Sequence, residues 1–365
     1  MSLVSLCNMI PVPRRMNVDG VGVDISEVSL RFVKIAPKRK GYELLDFGEY
    51  PIPEGTISLG QIKKPDVLRD VLVRLKKEHT IKFVHSSLPE SLAYIADIDI
   101  PSVKNSELRE SIELQLEENI PISIADAAFD YHVMDINKLR QGITKVIVSA
   151  AQKTVVESYK EVFESSGILL LSLETDSTAL SRAVIPKGSL DTFMIVDLGR
   201  IKTGVYVVSR GFVSFVSDID IGGKDICAIL AKEMNMTSED AKSMYKKLEQ
   251  NEKPEKEVYE AISSVFSDLK EEINRHFIFW HTHKDKNGQK NDKIEKVILC
   301  GSGATIFGLQ DFLSSGLKIP IDAANVWENL FSFEQEIPKI SFHESLLYST
   351  AIGLAMHSKQ NDDLF

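Results

Sequence analysis

Two aspartates, Asp24 and Asp197, each stand near the end of an apolar strand pattern and before a short polar turn. Both turns lead into a second apolar strand, so each aspartate belongs to a predicted strand-turn-strand hairpin. A strand-end carboxylate can hold Mg²⁺ through water, and the backbone N–H groups of such a turn can approach a phosphate. The hairpins therefore predict a site for a phosphate-bearing ligand with magnesium, with these two carboxylates on the metal side.

The second turn is the richer of the two in suitable residue types. Gly199 lets the backbone come close to an anion, Thr203 offers a hydroxyl, and Lys202 offers a positive charge. The first turn offers the hydroxyls of Ser26 and Ser29. For one hairpin alone, an aspartate that merely caps a turn is the better interpretation.

Two further observations reverse that interpretation. The hairpins recur at a spacing of about 170 residues, which indicates two related lobes, because a solenoid repeats every ~20 to 50 residues. A later strand also runs into Gly301 and Gly303 before a helix, an order that suits a nucleotide contact. The repeated pattern therefore favours a nucleotide bound between two lobes.

The elements that must position these residues divide the chain. A β-α-β-β-α pattern at 89–167, with alternating isoleucines and a final helix that ends at Gly167, predicts a small inserted subdomain. The predicted divisions are 1–16, a flexible arm or a remnant of cloning; 17–88 with 168–190, the first lobe; 191–345, the second lobe, with a helical part at 224–295; and 346–357, a closing helix that returns to the first lobe.

Composition limits the function. The chain has 365 residues, of which 43% are hydrophobic and 26% charged, enough for two cores. Its formal net charge of -10 disfavours broad nucleic-acid binding. The three cysteines are widely separated, which suggests neither a disulfide framework nor a zinc site, and no apolar run approaches the ~20 residues of a membrane span. The sequence predicts a cytoplasmic protein with small ligands and protein partners.

With these residues in view, the chain resembles the actin-like ATPase superfamily, which has a duplicated, ribonuclease H-like α/β fold, and most closely its PilM branch. PilM is the cytoplasmic assembly protein of type IV pili. The resemblance covers nearly everything from Val18 to His357. The matching blocks are V-G-V-D-I at 21–25, E-L-R-E-S-I-E-L-Q-L-E-E-N-I-P at 107–121, F-D-Y-H-V at 129–133, D-S-T-A-L-S-R-A at 176–183, D-I-G-G-K-D-I at 220–226, V-I-L-C-G-S-G-A-T-I-F-G-L at 297–309, I-P-I-D-A-A-N-V at 319–326 and Y-S-T-A-I-G-L-A at 348–355.

The resemblance implies ATP or ADP with Mg²⁺ as the ligand. Asp176, at the interlobe acidic position, would orient a water for attack on the terminal phosphate or order a magnesium-bound water. Arg31 stands where the family usually has lysine. The implied contacts are Asp24, Ser26, Ser29 and Arg31 from the first loop; Asp197, Gly199, Lys202 and Thr203 from the second; and Gly222, Gly223, Gly301, Ser302 and Gly303 around the ribose and adenine.

Three departures from the family pattern bear on catalysis. Ser26 replaces a usual glycine, Glu27 places an acid in the first phosphate turn, and Ser302 interrupts a glycine triplet. A carboxylate beside phosphates lowers affinity unless it points outward or helps to hold a cation. The sequence therefore predicts a nucleotide-binding assembly protein that is at most a slow ATPase.

The resemblance also supplies the partner. In PilM-like proteins, the inserted subdomain and the adjoining lobe form a groove for the short cytoplasmic tail of the inner-membrane protein PilN, bound as an extended peptide. By this analogy the chain binds a PilN-like tail, is recruited to the inner membrane through it, and contacts other pilus assembly proteins, with self-association also open.

Three alternatives remain. An FtsA-like division protein would need an amphipathic C-terminal helix, whereas residues 357–365 are polar and acidic. A small-molecule kinase of the same superfamily would need a substrate base, and no second strong acid stands out beyond the magnesium set. A secretion-system relative of PilM is usually extended by a membrane helix, and this sequence contains no such run.

Overall fold

A computed structural model of the chain describes residues 20–39, 41–134, 142–284, 288, 290–334 and 336–357. The predicted arm at 1–16 therefore lies outside the described residues. Two five-stranded sheets of matching topology form the body of the described chain. Each combines an antiparallel meander of three strands with two parallel strands, which is the duplication that the two hairpins predict.

The first sheet contains the first hairpin. Its strands are β1 (Val21–Ile25), β2 (Ser29–Pro37), β3 (Tyr42–Pro51), β6 (Phe83–Leu88) and β10 (Leu169–Thr175), and helix α1 (Pro65–His79) and a short hairpin of β4 (Ile57–Ser58) and β5 (Gln61–Ile62) lie between β3 and β6 in the chain. The strand order is β10-β6-β1-β2-β3. Alternate residues of β1 and β2 join the leucines of α1 in one core, which fixes the register that places Asp24 opposite Arg31.

The second sheet contains the second hairpin. Its strands are β11 (Thr192–Leu198), β12 (Thr203–Ser209), β13 (Phe212–Ile219), β14 (Ile294–Cys300) and β15 (Ile321–Ala323), in the order β13-β12-β11-β14-β15. Both β11 and β12 are almost wholly buried, which explains why they read as continuous apolar runs. Helices α5 (Gly223–Glu233), α6 (Ser238–Glu249), α7 (Lys256–Thr282) and α8 (Leu309–Leu317) belong to this half of the chain.

The inserted segment forms a third sheet. It contains β7 (Ala93–Pro101), α2 (Asn105–Asn119), β8 (Ala127–Val133), β9 (Ile143–Gln152) and α3 (Lys153–Ser165). The strands pair in the antiparallel order β7-β9-β8, and α2 buries Ile112 and Leu116 against them. Helix α3 instead packs Val162 and Phe163 into the core of the first sheet. The division of the chain at 89 and 167 stays a prediction.

Helices α4 (Asp176–Val184) and α10 (Ser349–Ala355), the latter preceded by α9 (Phe342–Ser345), pack against each other and on the first sheet. A Cβ atom on Gly353 would lie 1.8 Å from the carbonyl oxygen of Ala179, and one on Gly22 would lie 1.9 Å from that of Ala351. Only glycine permits backbone contact on both sides of α10. Within the described ranges, no helix combines the length and apolarity that a bilayer span requires.

Candidate functional site

The first loop, between β1 and β2, is closed by the side chain of Ser26. Its hydroxyl oxygen accepts hydrogen bonds from the backbone N–H groups of Val28 (3.4 Å) and Ser29 (3.1 Å), and its proton is donated to the Ser29 carbonyl (2.9 Å). The Ser29 hydroxyl is buried and lies 3.5 Å from that of Ser26. Both predicted phosphate-facing hydroxyls therefore contribute to the structure of the turn, a role typical of short polar side chains.

The acid of the first loop is directed away from this turn. The Glu27 carboxylate accepts a hydrogen bond from the backbone N–H of Leu59 at 2.6 Å, in the turn of the β4–β5 hairpin. Leu59 has a positive φ of 49° and is 78% exposed. Glu27 thus anchors a neighbouring hairpin, which is the outward orientation that keeps a carboxylate from repelling phosphate.

The second loop, between β11 and β12, is held by backbone contacts. The N–H of Gly199 donates to the Lys202 carbonyl (3.1 Å), and the Gly199 carbonyl accepts from the N–H of Gly223 (3.1 Å) at the start of α5. The Thr203 hydroxyl donates to the Ile221 carbonyl (2.7 Å), and Thr203 is fully buried. Thr203 therefore ties the loop to the segment before α5, and a phosphate contact from its hydroxyl stays a prediction.

The predicted glycines pack around this second loop. A Cβ atom on Gly222 would lie 2.7 Å from the carbonyl carbon of Ile201, and one on Gly301 would lie 2.5 Å from the Asp197 carboxylate. Gly301 also has a φ of +78°, which favours glycine. Gly223 and Gly303 are also closely packed. A Cβ atom on Gly223 would lie 2.4 Å from the Tyr245 hydroxyl, and one on Gly303 would lie 2.9 Å from Cβ of Leu198.

Positive charge reaches the site from both loops. Arg31 forms an ion pair with Glu49 on β3 (3.0 Å), and its charge also favours the ionised forms of Asp24 and Asp197. Lys202 pairs with Asp218 on β13, and its charge likewise lowers the pKa of Asp197. Both predicted cations are therefore close enough to act on the acids, although each is neutralised in part by a protein carboxylate.

The predicted acids influence one another. Burial raises the pKa of Asp24, against the opposing effects of Arg31 and of a hydrogen bond from the Ser87 hydroxyl (3.0 Å). Burial and then the charge of Asp24 raise the pKa of Asp197 to about 6. The pKa of Asp176 lies well above its usual range for the same two reasons, in the same order.

An atom of Asp176 also lacks a partner. Its Oδ1 is buried and makes no hydrogen bond. Together with the raised pKa values, this orphaned oxygen fits a site that is completed by a cation or a hydrated phosphate. No three acidic, histidine or cysteine side chains in the described ranges lie close enough together to ligate a metal directly. The predicted role of Asp24 and Asp197, which hold Mg²⁺ through water, needs no such cage.

Glu90 belongs to this group, and sequence reasoning missed it. Its carboxylate accepts a hydrogen bond from the backbone N–H of Ser177 at 2.7 Å, burial raises its pKa, and its charge raises that of Asp176. The sequence offered no acid beyond the predicted magnesium set, and the structure places the carboxylate of Glu90 within electrostatic reach of Asp176. Glu90 follows the carboxyl end of β6, which is the parallel neighbour of β1. Because the carboxyl ends of parallel strands meet at one edge of a sheet, its position after β6 could have indicated that it lies near Asp24.

Two spaces adjoin the site. The cavity bounded by Gly222, Gly223 and Gly303 measures about 20 Å³, room for about one water molecule, and Tyr245 forms one wall. A groove of about 490 Å³ lies between β7 and β13, and it is lined by Glu90, Ser91, Ala93, Tyr94, Ile95, Asn119 and residues 214–218. The small cavity thus borders three of the glycines predicted to contact the ribose and adenine.

Comparison with known proteins agrees with this architecture. The family model of the type IV pilus assembly protein PilM matches residues 22–359. The chain is similar to a solved PilM-PilN type IV pilus biogenesis complex, with 20% identity over 94% of this chain and 99% of that chain and a TM-score of 0.76. No curated protein matches.

Two more distant structures share the fold. The ethanolamine utilization protein EutJ from Carboxydothermus hydrogenoformans has 15% identity over 95% of this chain and 90% of that chain, with a TM-score of 0.55. MreB5 of Spiroplasma citri bound to ADP has 11% identity over 94% and 98%, with a TM-score of 0.54. The predicted actin-like α/β fold class is confirmed.

Proposed function

Because the chain belongs to the type IV pilus assembly protein PilM family, we propose that it is an ATP-binding scaffold of pilus assembly that captures the tail of a PilN-like membrane protein. The observation that supports nucleotide binding is the set of mutually interacting acids, Asp24, Asp176 and Asp197, between two loops built for close backbone approach. Bound Mg²⁺ would offset their charge and that of the phosphates.

Each lobe contributes distinct groups to this site. Asp24 and Asp197 hold magnesium-bound water, Arg31 and Lys202 moderate the negative charge, and the turn around Gly199 presents backbone N–H groups. The base and ribose lie by Gly222, Gly223 and Gly301 to Gly303.

We also propose that hydrolysis is slow, because Ser26 and Ser302 replace glycines of the family pattern and Glu27 adds an acid to the first phosphate turn. Asp176 would order a water near the terminal phosphate. We expect turnover below about 1 per second, the low end for enzymes.

Calorimetry with ATP and MgCl₂ tests this part of the proposal. The wild-type chain should bind, and Asp197→Asn should weaken binding by about tenfold or more, which corresponds to ~1.4 kcal/mol. Asp130→Asn changes an exposed aspartate on β8 and serves as the matched control. Absence of binding by the wild-type chain, or equal loss in both variants, contradicts the proposal.

The tail-binding part rests on the family and on an open strand edge beside the inserted segment. Strand β10 ends the first sheet in the described chain, α3 packs against it, and Leu169 and Leu171 are exposed along it. An extended peptide adds to such an edge through backbone hydrogen bonds and apolar contacts. The groove between β7 and β13 is the competing location, and the carboxylate residues that line it are Glu90 and Asp218.

Fluorescence anisotropy with a synthetic peptide of that tail tests the location. Leu171→Lys should weaken tail binding by about tenfold, whereas Leu45→Lys, on the opposite edge strand β3, should not. Loss of binding in Ser217→Glu, with no effect of Leu171→Lys, would assign the tail to the groove instead. By this proposal the tail recruits the chain to the inner membrane, where other pilus proteins and further copies can meet it.

For the alternative function, a small-molecule kinase, the structure adds Glu90 as a candidate substrate base. Glu90 supplies a carboxylate beside Asp176, yet that carboxylate accepts the Ser177 N–H and is buried. The hydrogen bond from Ser177 holds one oxygen of Glu90 against α4. The family match favours the scaffold proposal over a kinase.

A further inference from the structure

The groove between β7 and β13 is bordered by two strand edges. Strand β13 ends the second sheet and β7 ends the third, and no described strand pairs with the outer edge of either. Residues 214–218 of β13 and 93–95 of β7 line the groove as consecutive runs. Because neighbouring side chains of a strand point to opposite faces of its sheet, such a run indicates that the edge itself, with its backbone groups, borders the groove.

The edge of β13 is regular along most of this groove. A β-bulge leaves Ser214 without a partner on β12, and the pairing is continuous from Phe215 to Ile219. Five residues of a strand span about 16 Å. The groove volume of about 490 Å³ lies within the ~300–1,000 Å³ that is usual for ligand pockets. The groove therefore has room for a short extended segment beside β13.

The two edges lack the charges that protect an ordinary edge strand. Strand β3, which ends the first sheet, carries the partly exposed acids Glu43, Asp46 and Glu49. Charges on an edge strand oppose the addition of a further strand. By contrast, β13 carries one charged residue, Asp218, and the lining run of β7 carries none. Both edges at the groove are therefore suited to strand addition.

The groove has apolar walls and negative charge. Ile95, Phe215 and Val216 are partly buried against the core of the second sheet. Asp218 and Glu90 supply carboxylates, and no lysine, arginine or histidine is among the described residues that line the groove. The Asp218 side chain is 33% exposed, whereas Glu90 is buried. A segment that carries lysine or arginine can therefore reach Asp218 and form a charge-assisted hydrogen bond.

Asp218 also connects the groove to the nucleotide site. Its carboxylate pairs with Lys202 of the second loop, and its charge raises the pKa of Asp197. A cation supplied by an occupant would share this carboxylate and weaken its hold on Lys202, which leaves more of the Lys202 charge to a bound phosphate. Glu90 makes a second connection, because it holds the Ser177 N–H at the start of α4.

We propose that the groove between β7 and β13 binds an extended peptide segment, which adds to the edge of β13 and places a lysine or arginine beside Asp218. Binding of this cationic segment tightens ATP binding through Lys202, and ATP tightens binding of the segment by the same factor. The coupling rests on the proposed ATP site, whereas the peptide site does not. The groove is distinct from the β10 edge that is proposed for the PilN-like tail.

Immobilised peptides test the site. Three blocked peptides of sequence Thr-Val-X-Val-Thr, with lysine, serine or glutamate at X, are compared for binding of the full chain by biolayer interferometry. The lysine peptide should bind at least fivefold more tightly than the glutamate peptide. Asp218→Asn should remove this preference. Asp322→Asn, on the opposite edge strand β15 and in a similar ion pair with Lys296, should keep it.

The two variants change the net charge equally, which controls for general attraction between the acidic chain and cationic peptides. Equal binding of the lysine and glutamate peptides, or equal loss in the two variants, overturns the inference. N-methylation of the lysine peptide removes the backbone donors that pair with a strand edge, so binding that survives it overturns strand addition. A tail peptide that displaces the lysine peptide places the PilN-like tail in this groove, which supports the site and refutes the location on β10.

Calorimetry with ATP and MgCl₂ tests the coupling. Saturating lysine peptide should tighten ATP binding about threefold, as expected for a partly exposed ion pair. Asp218→Asn, which frees Lys202 in the same way, should give a similar gain without peptide, and Asp322→Asn should give none. Unchanged ATP affinity with the peptide and in Asp218→Asn overturns the coupling. If the wild-type chain binds no ATP while the lysine preference depends on Asp218, the proposed nucleotide function fails and the peptide site stands.

Discussion

The carboxylate of Glu90 accepts a hydrogen bond from the backbone N–H of Ser177 at 2.7 Å, which joins the root of the inserted segment to the first turn of the helix that carries Asp176. Glu90→Ala leaves that N–H without its partner and should lower the free energy of unfolding by about 1–3 kcal/mol. Glu90→Gln retains an acceptor and removes a buried charge, so it should be at least as stable as wild type at pH 7. Urea unfolding measures both. Equal destabilisation by the two substitutions would contradict this role.

Asp197 should make the nucleotide-free chain less stable as the pH rises. Burial, followed by the charge of Asp24, raises its pKa from 3.8 to about 6. The folded state thus binds the proton more tightly; the stabilisation is complete below pH ~4 and is lost as the pH rises through ~6. The side chain of Asp197→Asn does not titrate. The free energy of unfolding of this variant, relative to wild type, should therefore increase across this pH window by at most about 3 kcal/mol. Urea unfolding at pH 4.5 and 7.5 measures it, with Asp130→Asn as the control. A pH-independent difference would refute the assignment.

Arg182 and Glu174 form a buried bidentate ion pair, with N–O distances of 2.7 and 2.6 Å, and Arg182 also donates to the Gly353 carbonyl. Burial opposes ionisation of Glu174, but the charge and hydrogen bonds of Arg182 outweigh it and lower the pKa to about 2. Arg182→Met should cost about 3–5 kcal/mol, because it removes the bidentate partner of a buried carboxylate and leaves His357, at 3.3 Å, as its remaining contact in the described chain. The double variant with Glu174→Met should recover part of the loss in urea unfolding at pH 7. No recovery would show that the pair is not the cause.

Two adjacent glycines should respond differently to alanine. A Cβ atom on Gly222 meets backbone atoms of Ile201 and Lys202 at 2.7 and 2.8 Å, whereas one on Gly223 meets the end of the Tyr245 side chain. Backbone cannot yield without moving the second loop, so Gly222→Ala should cost about 1–3 kcal/mol and weaken ATP binding. Gly223→Ala should cost less, and Tyr245→Phe should relieve only part of the cost, because the ring carbon Cζ would also lie 2.6 Å from that Cβ atom. Thermal unfolding and calorimetry compare the variants; equal losses would contradict the difference.

The local sequence pattern correctly predicted where the two hairpins and their turns lie in the chain. Asp24 and Asp197 end apolar strands, and Gly222 and Gly301 mark turns, so period and residue type identify them. Glu90 lies outside such patterns, because its role arises from the pairing of β6 with β1 and from contact with α4. Residue type also cannot tell where a hydroxyl points: Ser26 and Thr203 both donate to nearby carbonyls in the structure.

The hydrogen bond from the Leu59 N–H to the Glu27 carboxylate connects the first loop to an exposed hairpin on the molecular surface. One end lies in the turn proposed to meet phosphate, and the other holds an exposed leucine on a backbone conformation that few leucines adopt. A displacement of the loop therefore moves the hairpin tip with it. The nucleotide state would be displayed to neighbouring molecules as the position of one protruding side chain, and a fluorophore attached at residue 59 would report that position when ATP is added.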